Sequence, residues 1–184
     1  MDYTTIAGTA IAGEDYIGAS DTLTFEAGQT SQTITVTVIN DAIFEDPEAF
    51  TVAISNADAG GTGLTITDGS GSGHIVDDDQ PTVAIADGSP NPQTEAGGAT
   101  ITFEVTLSNP ADQAVTVDYT TIDGTAIAGE DYIGASDTLT FAAGQTSQTI
   151  TVTVINDAIF EDPEAFRVDI SNADAGGTGL TITD

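Results

Sequence analysis

The sequence predicts an all-β protein made of tandem antiparallel β-sandwich repeats, and three observations carry this prediction. Apolar and polar residues alternate with a period of two in several runs, as they do in strands that bury one face. Gly and Pro separate these runs, and no segment has a convincing helical period. Residues 2–68 recur at 118–184 with four differences: Ala7/Asp123, Glu26/Ala142, Thr51/Arg167 and Ala53/Asp169. Near-identical adjacent copies are typical of modular repeat proteins, whereas an active site is ordinarily built once.

The second copy shows the strands most clearly. Six are predicted there, labelled A to F in chain order: 82–86, 99–107, 114–121, 137–142, 147–155 and 165–171. In strand B, for example, Ile101, Phe103 and Val105 alternate with polar residues, which predicts one buried face and one wet face. The first copy adds a seventh strand, G, at 73–78, before Pro81 opens the next repeat.

About seven short antiparallel strands in each repeat fit an immunoglobulin-like sandwich, although the Cys and Trp marks of true immunoglobulin domains are absent. The phase of the repeats predicts two incomplete units. Residues 1–79 hold strands C to G without A and B, and residues 80–184 hold A to F without G. We therefore expect a partial repeat followed by a nearly complete one.

The charge balance restricts the partners. Thirty Asp and Glu face one basic residue, Arg167, and the net charge is -29. Nucleic acid is excluded as a partner because almost no basic side chain is present to meet phosphates. No apolar run is long enough for a membrane span, and mid-repeat sequence follows Met1 where a leader would have basic and apolar residues. Self-repulsion of this size indicates bound cations or a very salty setting.

The predicted topology gathers acidic loops at one end of the sandwich. Loops A–B, C–D and E–F and the exit of strand G all return to the same end in an up-and-down run of strands. The acids sent there are Glu95, Glu130, Asp131, Asp157, Glu161, Asp162, Glu164 and the run Asp77, Asp78 and Asp79. Calcium suits such a site because it takes six to eight oxygen ligands in flexible geometry, and magnesium ranks second because it needs a stricter octahedron.

The repeated sequence resembles that of a known family. The string GTAIAGEDYIGASDTLTFEAGQTSQTITVTVINDAIFEDPEAF, with its second copy and the closing HIVDDD, resembles the Calx-beta domain. Such domains occur in the calcium sensor of sodium/calcium exchangers, in an integrin subunit and in large bacterial surface proteins, so the resemblance implies a calcium-binding sandwich. The metal ligands that it implies are Asp15, Asp41, Glu45, Asp77, Asp78, Asp79, Glu95, Asp131, Asp157 and Glu161. Asn40 and Asn156 stand where many members have a second Asp, which removes one charge from each site.

Other chemistries find little support in the sequence. His74 is the only His, and a catalytic or zinc role would need partners that the sequence lacks. The paired carboxylates recur in both copies without Trp to form a sugar platform, so we do not expect an enzyme. The segment GGTGLT at 60–65 departs from the calcium-binding nonapeptide because Thr65 stands at its Asp position.

The expected function is a non-enzymatic, calcium-binding structural repeat of a long extracellular bacterial adhesin or filament. Only Gln80 separates Asp79 from Pro81, so calcium at this seam would stiffen the junction between repeats. Two alternatives stay open: a regulatory calcium sensor, and an acidic halophilic surface domain without a specific metal. The expected partners are calcium ions and neighbouring repeats, including head-to-tail or strand-swapped self-association that supplies the missing strand G.

Overall fold

A computed structural model describes residues 1–95, 98–158 and 162–183. The chain forms two compact units, one of Met1–Asp41 and Asp46–Asp78 and the other of Ala42–Glu45 and Asp79–Asp184. Strands are the only regular elements in the described ranges, which confirms the all-β prediction. Within those ranges the structure contains no helix that could cross a bilayer.

The first unit contains six strands. They are β1 (Asp2–Ala7), β2 (Ser20–Thr22), β3 (Glu48–Ser55), β4 (Asp58–Ala59), β5 (Thr62–Gly63) and β6 (Ser70–Ile75). Four of them form an antiparallel sheet in the order β2-β1-β3-β6, and β4 and β5 form a separate short hairpin. The predicted strand G is therefore present, but it lies at 70–75 instead of 73–78.

The core of the first unit is small and centres on two aromatic rings. Tyr16 and Phe50 stack with ring centroids 4.4 Å apart, and both are buried together with Ala10. Gly73 of β6 passes directly over Phe50, and a Cβ atom at this position would overlap the ring. A glycine is therefore required where β6 crosses the core.

The second unit contains eight strands. They are β7 (Thr82–Ile85), β8 (Thr100–Leu107), β9 (Val115–Ile122), β10 (Ser136–Phe141), β11 (Ser147–Thr153), β12 (Arg167–Ala175), β13 (Thr178–Gly179) and β14 (Thr181–Thr183). One sheet has the order β10-β9-β12-β13 and the other β11-β8-β7-β14. All pairs are antiparallel except β14 with β7, which is parallel.

A single apolar core lies between these two sheets. Val117 and Phe141 come from one sheet and Val105 and Ile150 from the other, and all four side chains are buried. The inward residues alternate with exposed polar ones along each strand, so period-2 patterning places the core between two layers. This arrangement confirms the predicted sandwich.

The structure adds three features that the sequence pattern did not predict. Strand β12 continues to Ala175 through a bulge between Ser171 and Asp174, where Asn172 has a φ of 49°. Strands β13 and β14 follow it. In the first repeat, residues 31–37 lie outside any strand, although the same sequence forms β11 in the second.

Candidate metal centre

The AGEDY turn is a rigid platform for one carboxylate in each repeat. Gly13 has a φ of 96°, and its N–H donates to the Tyr16 carbonyl over 2.8 Å. The Asp15 carboxylate accepts a hydrogen bond of 2.6 Å from the Ile11 N–H. Because Tyr16 is fully buried, the turn is fixed to the core and Asp15 is fixed with it.

In the first unit this carboxylate lies beside one other. Asp15 and Glu48 each offer one oxygen, and the two oxygens lie within 4.8 Å of each other. Two oxygens on opposite sides of a calcium ion, each about 2.4 Å from it, are about 4.8 Å apart. The spacing therefore fits two ligands of one calcium ion, and Asp15 is one that the family resemblance implied. Glu45 belongs to the second unit, and its role as a ligand stays a prediction.

Glu48 was not among the predicted ligands. It follows Pro47 and begins β3, so the sequence pattern indicates only a strand residue there. Its position in the sequence could have indicated a ligand, because the start of this strand lies at the same end as the acidic E–F loop. The corresponding residue of the second copy, Glu164, was assigned to that end but not named as a ligand.

The second repeat repeats the platform and surrounds it with acids. The Ile127 N–H donates to Asp131 over 2.7 Å, and Gly129 has a φ of 92°. A cleft of about 550 Å³ opens beside Asp131, with Tyr132 and Phe166 among the residues that line it. The carboxylates that line this cleft are Glu95, Asp131, Asp162 and Glu164. Glu161 lies outside the described residues.

A hydrogen bond next to this cleft distinguishes the second repeat from the first. The Tyr132 hydroxyl donates to Asp123 Oδ1 over 2.6 Å, and the Ala128 N–H donates to the same oxygen over 3.0 Å. Burial raises the pKa of the Tyr132 hydroxyl, and its bond to Asp123 raises it further. The bond from Tyr132, followed by that from Ala128, lowers the pKa of Asp123. Asp123 therefore stays ionised while it holds the Tyr132 ring by this hydrogen bond.

The remaining predicted ligands lie outside these two groups. Asp41, Asp77 and Asp78 do not join Asp15 and Glu48, and Asp157 does not line the cleft of the second repeat. Asp79 is held by Asn109, whose Nδ2 donates to the Asp79 carbonyl over 3.1 Å and to its carboxylate over 3.3 Å. Their role as ligands stays a prediction.

The donor set fits calcium better than a transition metal. Every candidate ligand offers oxygen, the chain has no Cys, and His74, exposed on β6, is not among the side chains that the described residues bring together as possible metal ligands. Arg167 pairs with Asp169 over 2.7 Å on the outer face of β12, with both side chains largely exposed. The one basic side chain of the sequence is therefore engaged elsewhere, and a bound cation would be the natural counterion for these carboxylates.

The fold, the neighbouring carboxylates of the first unit and the acidic cleft of the second define a tandem β-sandwich module with oxygen-donor candidate metal centres. The chain belongs to the Calx-beta domain family, whose description matches residues 1–88 and again residues 77–183. Two overlapping matches agree with the repeat seen in the sequence, and the recognition made from the residues is confirmed.

The curated relatives include sodium/calcium exchangers. Human sodium/calcium exchanger 2 is 31% identical over 188 residues, and dog sodium/calcium exchanger 1 is 32% identical over 192. The Drosophila exchanger Calx is 29% identical over 170 residues. Each alignment covers 92% of this chain but only 18–20% of the relative, so the chain spans about a fifth of their length. None of these relatives supports the expected adhesive or extracellular role.

The solved structures with similar sequences include two that are described as domains of Calx. A structure described as CBD12 from CALX1.2 has a TM-score of 0.46 and 27% identity, and the match covers 97% of this chain and 68% of that one. The apo-form Calx CBD1 domain has a TM-score of 0.46 and 28% identity, and covers 55% of this chain and 87% of that one.

Proposed function

We propose that this chain is a non-enzymatic calcium-binding module that acts as a regulatory calcium sensor. The observation that carries the proposal is the cleft of the second repeat, where three further carboxylates line the same cleft as the rigid Asp131 platform. Membership of the Calx-beta family and the similarity to sodium/calcium exchangers support the same proposal.

The cleft explains how calcium would change the protein. Glu95 belongs to the loop after β7, Asp131 to the loop after β9, and Glu164 to the segment before β12. An ion that binds all three would tie together loops from different sheets. Carboxylates that repel one another without the ion would then hold the same end of the sandwich closed.

A structural role is the second candidate, and the near-identity of the two copies favours it. Residues 2–68 and 118–184 differ at four positions, as expected for an array in which each repeat bears load in the same way. This candidate includes a long extracellular adhesin or filament in which calcium stiffens the junction between repeats. An acidic halophilic surface without a specific metal is the third possibility.

Calorimetric titration of the full chain with calcium tests the proposal. Asp131→Asn and Glu164→Gln each remove one ligand charge and should weaken calcium binding by about tenfold or more, because charge-assisted contacts to a divalent ion are lost. The matched control is Asp174→Asn, which makes the same charge change near the C-terminal end of β12, where Asp174 accepts from the Gly177 N–H and does not line the cleft. Loss of binding in the control alone, or binding unchanged in both cleft variants, contradicts the proposal.

Affinity and shape separate the sensor from the structural repeat. A sensor should bind calcium at micromolar concentrations and change its small-angle scattering profile on binding. A structural repeat should bind at millimolar concentrations, as extracellular modules do, with its scattering profile becoming that of a straighter, stiffer particle. A purely halophilic surface should show no saturable heat with calcium at all.

A further inference from the structure

The loop that carries Asp131 in the second repeat is held by a second carboxylate, that of Asp123. Asp123 lies directly after β9, at the start of this loop, and Tyr132 lies at its end. The Tyr132 hydroxyl and the Ala128 N–H both donate to Asp123 Oδ1, over 2.6 Å and 3.0 Å. One oxygen atom therefore joins the beginning, the middle and the end of the loop at 123–132.

The hydrogen bonds of the two carboxylates interlock. The N–H groups of Ile127 and Ala128 are consecutive along the backbone, and they donate to different side chains. The first donates to Asp131 Oδ2 over 2.7 Å and the second to Asp123 Oδ1. The Asp131 N–H donates in turn to the Ile127 carbonyl over 2.9 Å. A displacement of residues 127–128 would therefore displace Asp131, and the bond to Asp123 opposes it.

Asp123 is connected to the acidic cleft through Tyr132. Tyr132 lines the cleft together with Asp131, whereas Asp123 is exposed and does not line it. The Tyr132 ring is buried and stacks on Phe166, another residue of the cleft, with ring centroids 4.2 Å apart. Asp123 thus fixes both a wall of the cleft and the loop of a candidate ligand without being a ligand itself.

The first repeat provides a comparison, because Ala7 stands at the position of Asp123. The hydrogen bond from the Ile11 N–H to Asp15 is kept there, at 2.6 Å. Ala7 offers no side-chain acceptor, and the Tyr16 hydroxyl has no hydrogen-bond partner among the described residues. The two loops therefore share the bond to the candidate ligand and differ in the bonds that Asp123 accepts.

A loop that is ordered before its ion arrives binds more tightly, because binding then costs less conformational entropy. Partners that orient a metal ligand without touching the metal typically contribute about 10–100-fold to affinity. We propose that Asp123 is a positioning residue for calcium, which holds the 123–132 loop in its binding conformation through Ala128 and Tyr132. This inference rests on the proposed calcium-binding function, and it makes the corresponding loops of the two repeats unequal in affinity for the ion.

Calorimetric titration of the full chain with calcium chloride tests the inference, at about 0.15 M salt to screen distant charges. The binding step to follow is the one that Asp131→Asn weakens. Asp123→Ala should weaken this step about tenfold or more. Asp123→Asn removes the charge but keeps an Oδ1 acceptor for both hydrogen bonds, so its affinity should stay within about threefold of the parent. If Asp123 acted only as a nearby negative charge, the two variants would bind equally weakly.

Amide exchange followed by NMR in chelator gives a readout that needs no calcium. The Ala128 amide should exchange at least about tenfold faster in Asp123→Ala than in the parent, because it loses its acceptor, and should stay slow in Asp123→Asn. The matched control is Asp174→Ala, which removes a charge and an N–H acceptor from the same unit outside the cleft. It should leave both the Ala128 exchange rate and the calcium affinity within about threefold of the parent.

Tyr132→Phe tests whether Asp123 acts through the hydroxyl. Added to Asp123→Ala, it should weaken calcium binding no further, since the hydroxyl then has no carboxylate to hold it. Additive losses would overturn the positioning role, as would parental affinity in Asp123→Ala or equal losses in Asp123→Asn or Asp174→Ala. Each of these results leaves the calcium function standing, because Asp131→Asn would still weaken binding. A parent chain that binds no calcium would instead overturn the proposed function and this inference together.

Discussion

At the scale of single residues, the four differences between the repeats are informative because the surrounding sequence is the same. Asp123 replaces Ala7 and accepts the hydrogen bond from Tyr132, whereas the buried Tyr16 hydroxyl has no hydrogen-bond partner among the described residues. A buried hydroxyl without a partner costs about 1–3 kcal/mol. The same tyrosine is therefore satisfied in one repeat and unsatisfied in the other.

We predict opposite effects of one substitution at these equivalent positions. Tyr132→Phe should lower the stability of the second unit by about 1 kcal/mol, because it removes a made hydrogen bond. Tyr16→Phe should leave the first unit unchanged or more stable, because it removes only an unpaired hydroxyl. Thermal unfolding of the full chain in chelator measures both. Equal destabilisation by the two variants would contradict this account.

Asp118 provides a prediction about pH. Thr138 Oγ1 and Asn172 Nδ2 donate to its carboxylate over 2.5 Å and 2.9 Å, and these bonds, the one from Thr138 foremost, lower the pKa of Asp118 below 3.8. A lowered folded-state pKa contributes stability above the ordinary value, and this contribution is lost as pH falls through the folded value. The stabilising contribution should therefore be complete above about pH 5 and fade below pH 4.

Asp118→Asn is the variant that isolates this effect. It should be less stable than the parent chain above about pH 5, and the difference should shrink as the pH is lowered below 4. Denaturant unfolding in chelator across this range measures the difference without a contribution from bound metal. A gap between the two proteins that stays constant, or widens, toward low pH would refute the assignment.

At the scale of elements, identical sequence forms different structure in the two repeats. Residues 147–153 form β11 because β8 lies beside them, with Ile150 opposite Phe103 and Val152 opposite Ile101. Residues 31–37 have the same sequence but lie outside any strand. Among the described residues no strand pairs with 31–37, so the pairing partner decides the outcome.

Amide hydrogen exchange should reveal this difference directly. We predict that amides in 147–153 exchange at least about a hundredfold more slowly than those in 31–37, because paired strand amides open only with the sheet. Peptic fragments that begin before position 26 or 142 separate the copies by mass, since Glu26 is replaced by Ala142. As a control, a chain with residues 80–117 fused ahead of Asp2 should slow exchange in the first copy. Equal rates in the two copies of the original chain would contradict the prediction.

This comparison also explains how much the sequence could predict. Strong alternation in strands such as β8 and β11 predicted two layers and their inward residues, because patterning is a local property. Strands β13 and β14 were missed because their few residues carry no pattern, and β14 exists through its parallel pairing with β7. Long-range pairing of this kind is absent from local sequence.

The same difference between local pattern and long-range pairing applies to the candidate site. Asp15 and Asp131 could be named from the AGEDY motif, because a tight turn with Gly at positive φ fixes the carboxylate locally. Glu48 could not, because its proximity to Asp15 depends on where β3 begins relative to a distant turn. The motif therefore predicted the carboxylate of each turn, whereas the position of Glu48 follows only from the topology of the fold.

At the scale of the whole molecule, a net charge of -29 acts in two ways that experiment can separate. General repulsion among exposed carboxylates falls with ionic strength, because the screening length shortens from about 30 Å at 0.01 M to about 3 Å at 1 M. Repulsion inside a cleft such as that of Asp131 and Glu164 is relieved chiefly by an ion bound there. Potassium chloride should weaken only the general repulsion, whereas calcium should weaken the general repulsion and also the repulsion inside the cleft.

We therefore predict two distinct stabilisations of the full chain. Potassium chloride should raise the melting temperature gradually up to about 1 M, without saturation at low concentration. Calcium at about 100 times its dissociation constant should add about 2.7 kcal/mol per site, which corresponds to roughly 10 °C or more for a unit of about 100 residues. Scanning calorimetry in chelator, with each salt varied alone, measures both.

Asp131→Asn distinguishes the two effects within one protein. It should lose most of the calcium response of the second unit and keep the potassium response, because one charge in thirty changes the general repulsion little while the cleft loses a fixed ligand. Asp174→Asn should keep both responses, since it removes an equal charge outside the cleft. If calcium acted only as screening salt, its effect would survive in both variants and would match that of potassium at equal ionic strength. Site binding requires instead that the two variants differ with calcium and agree with potassium.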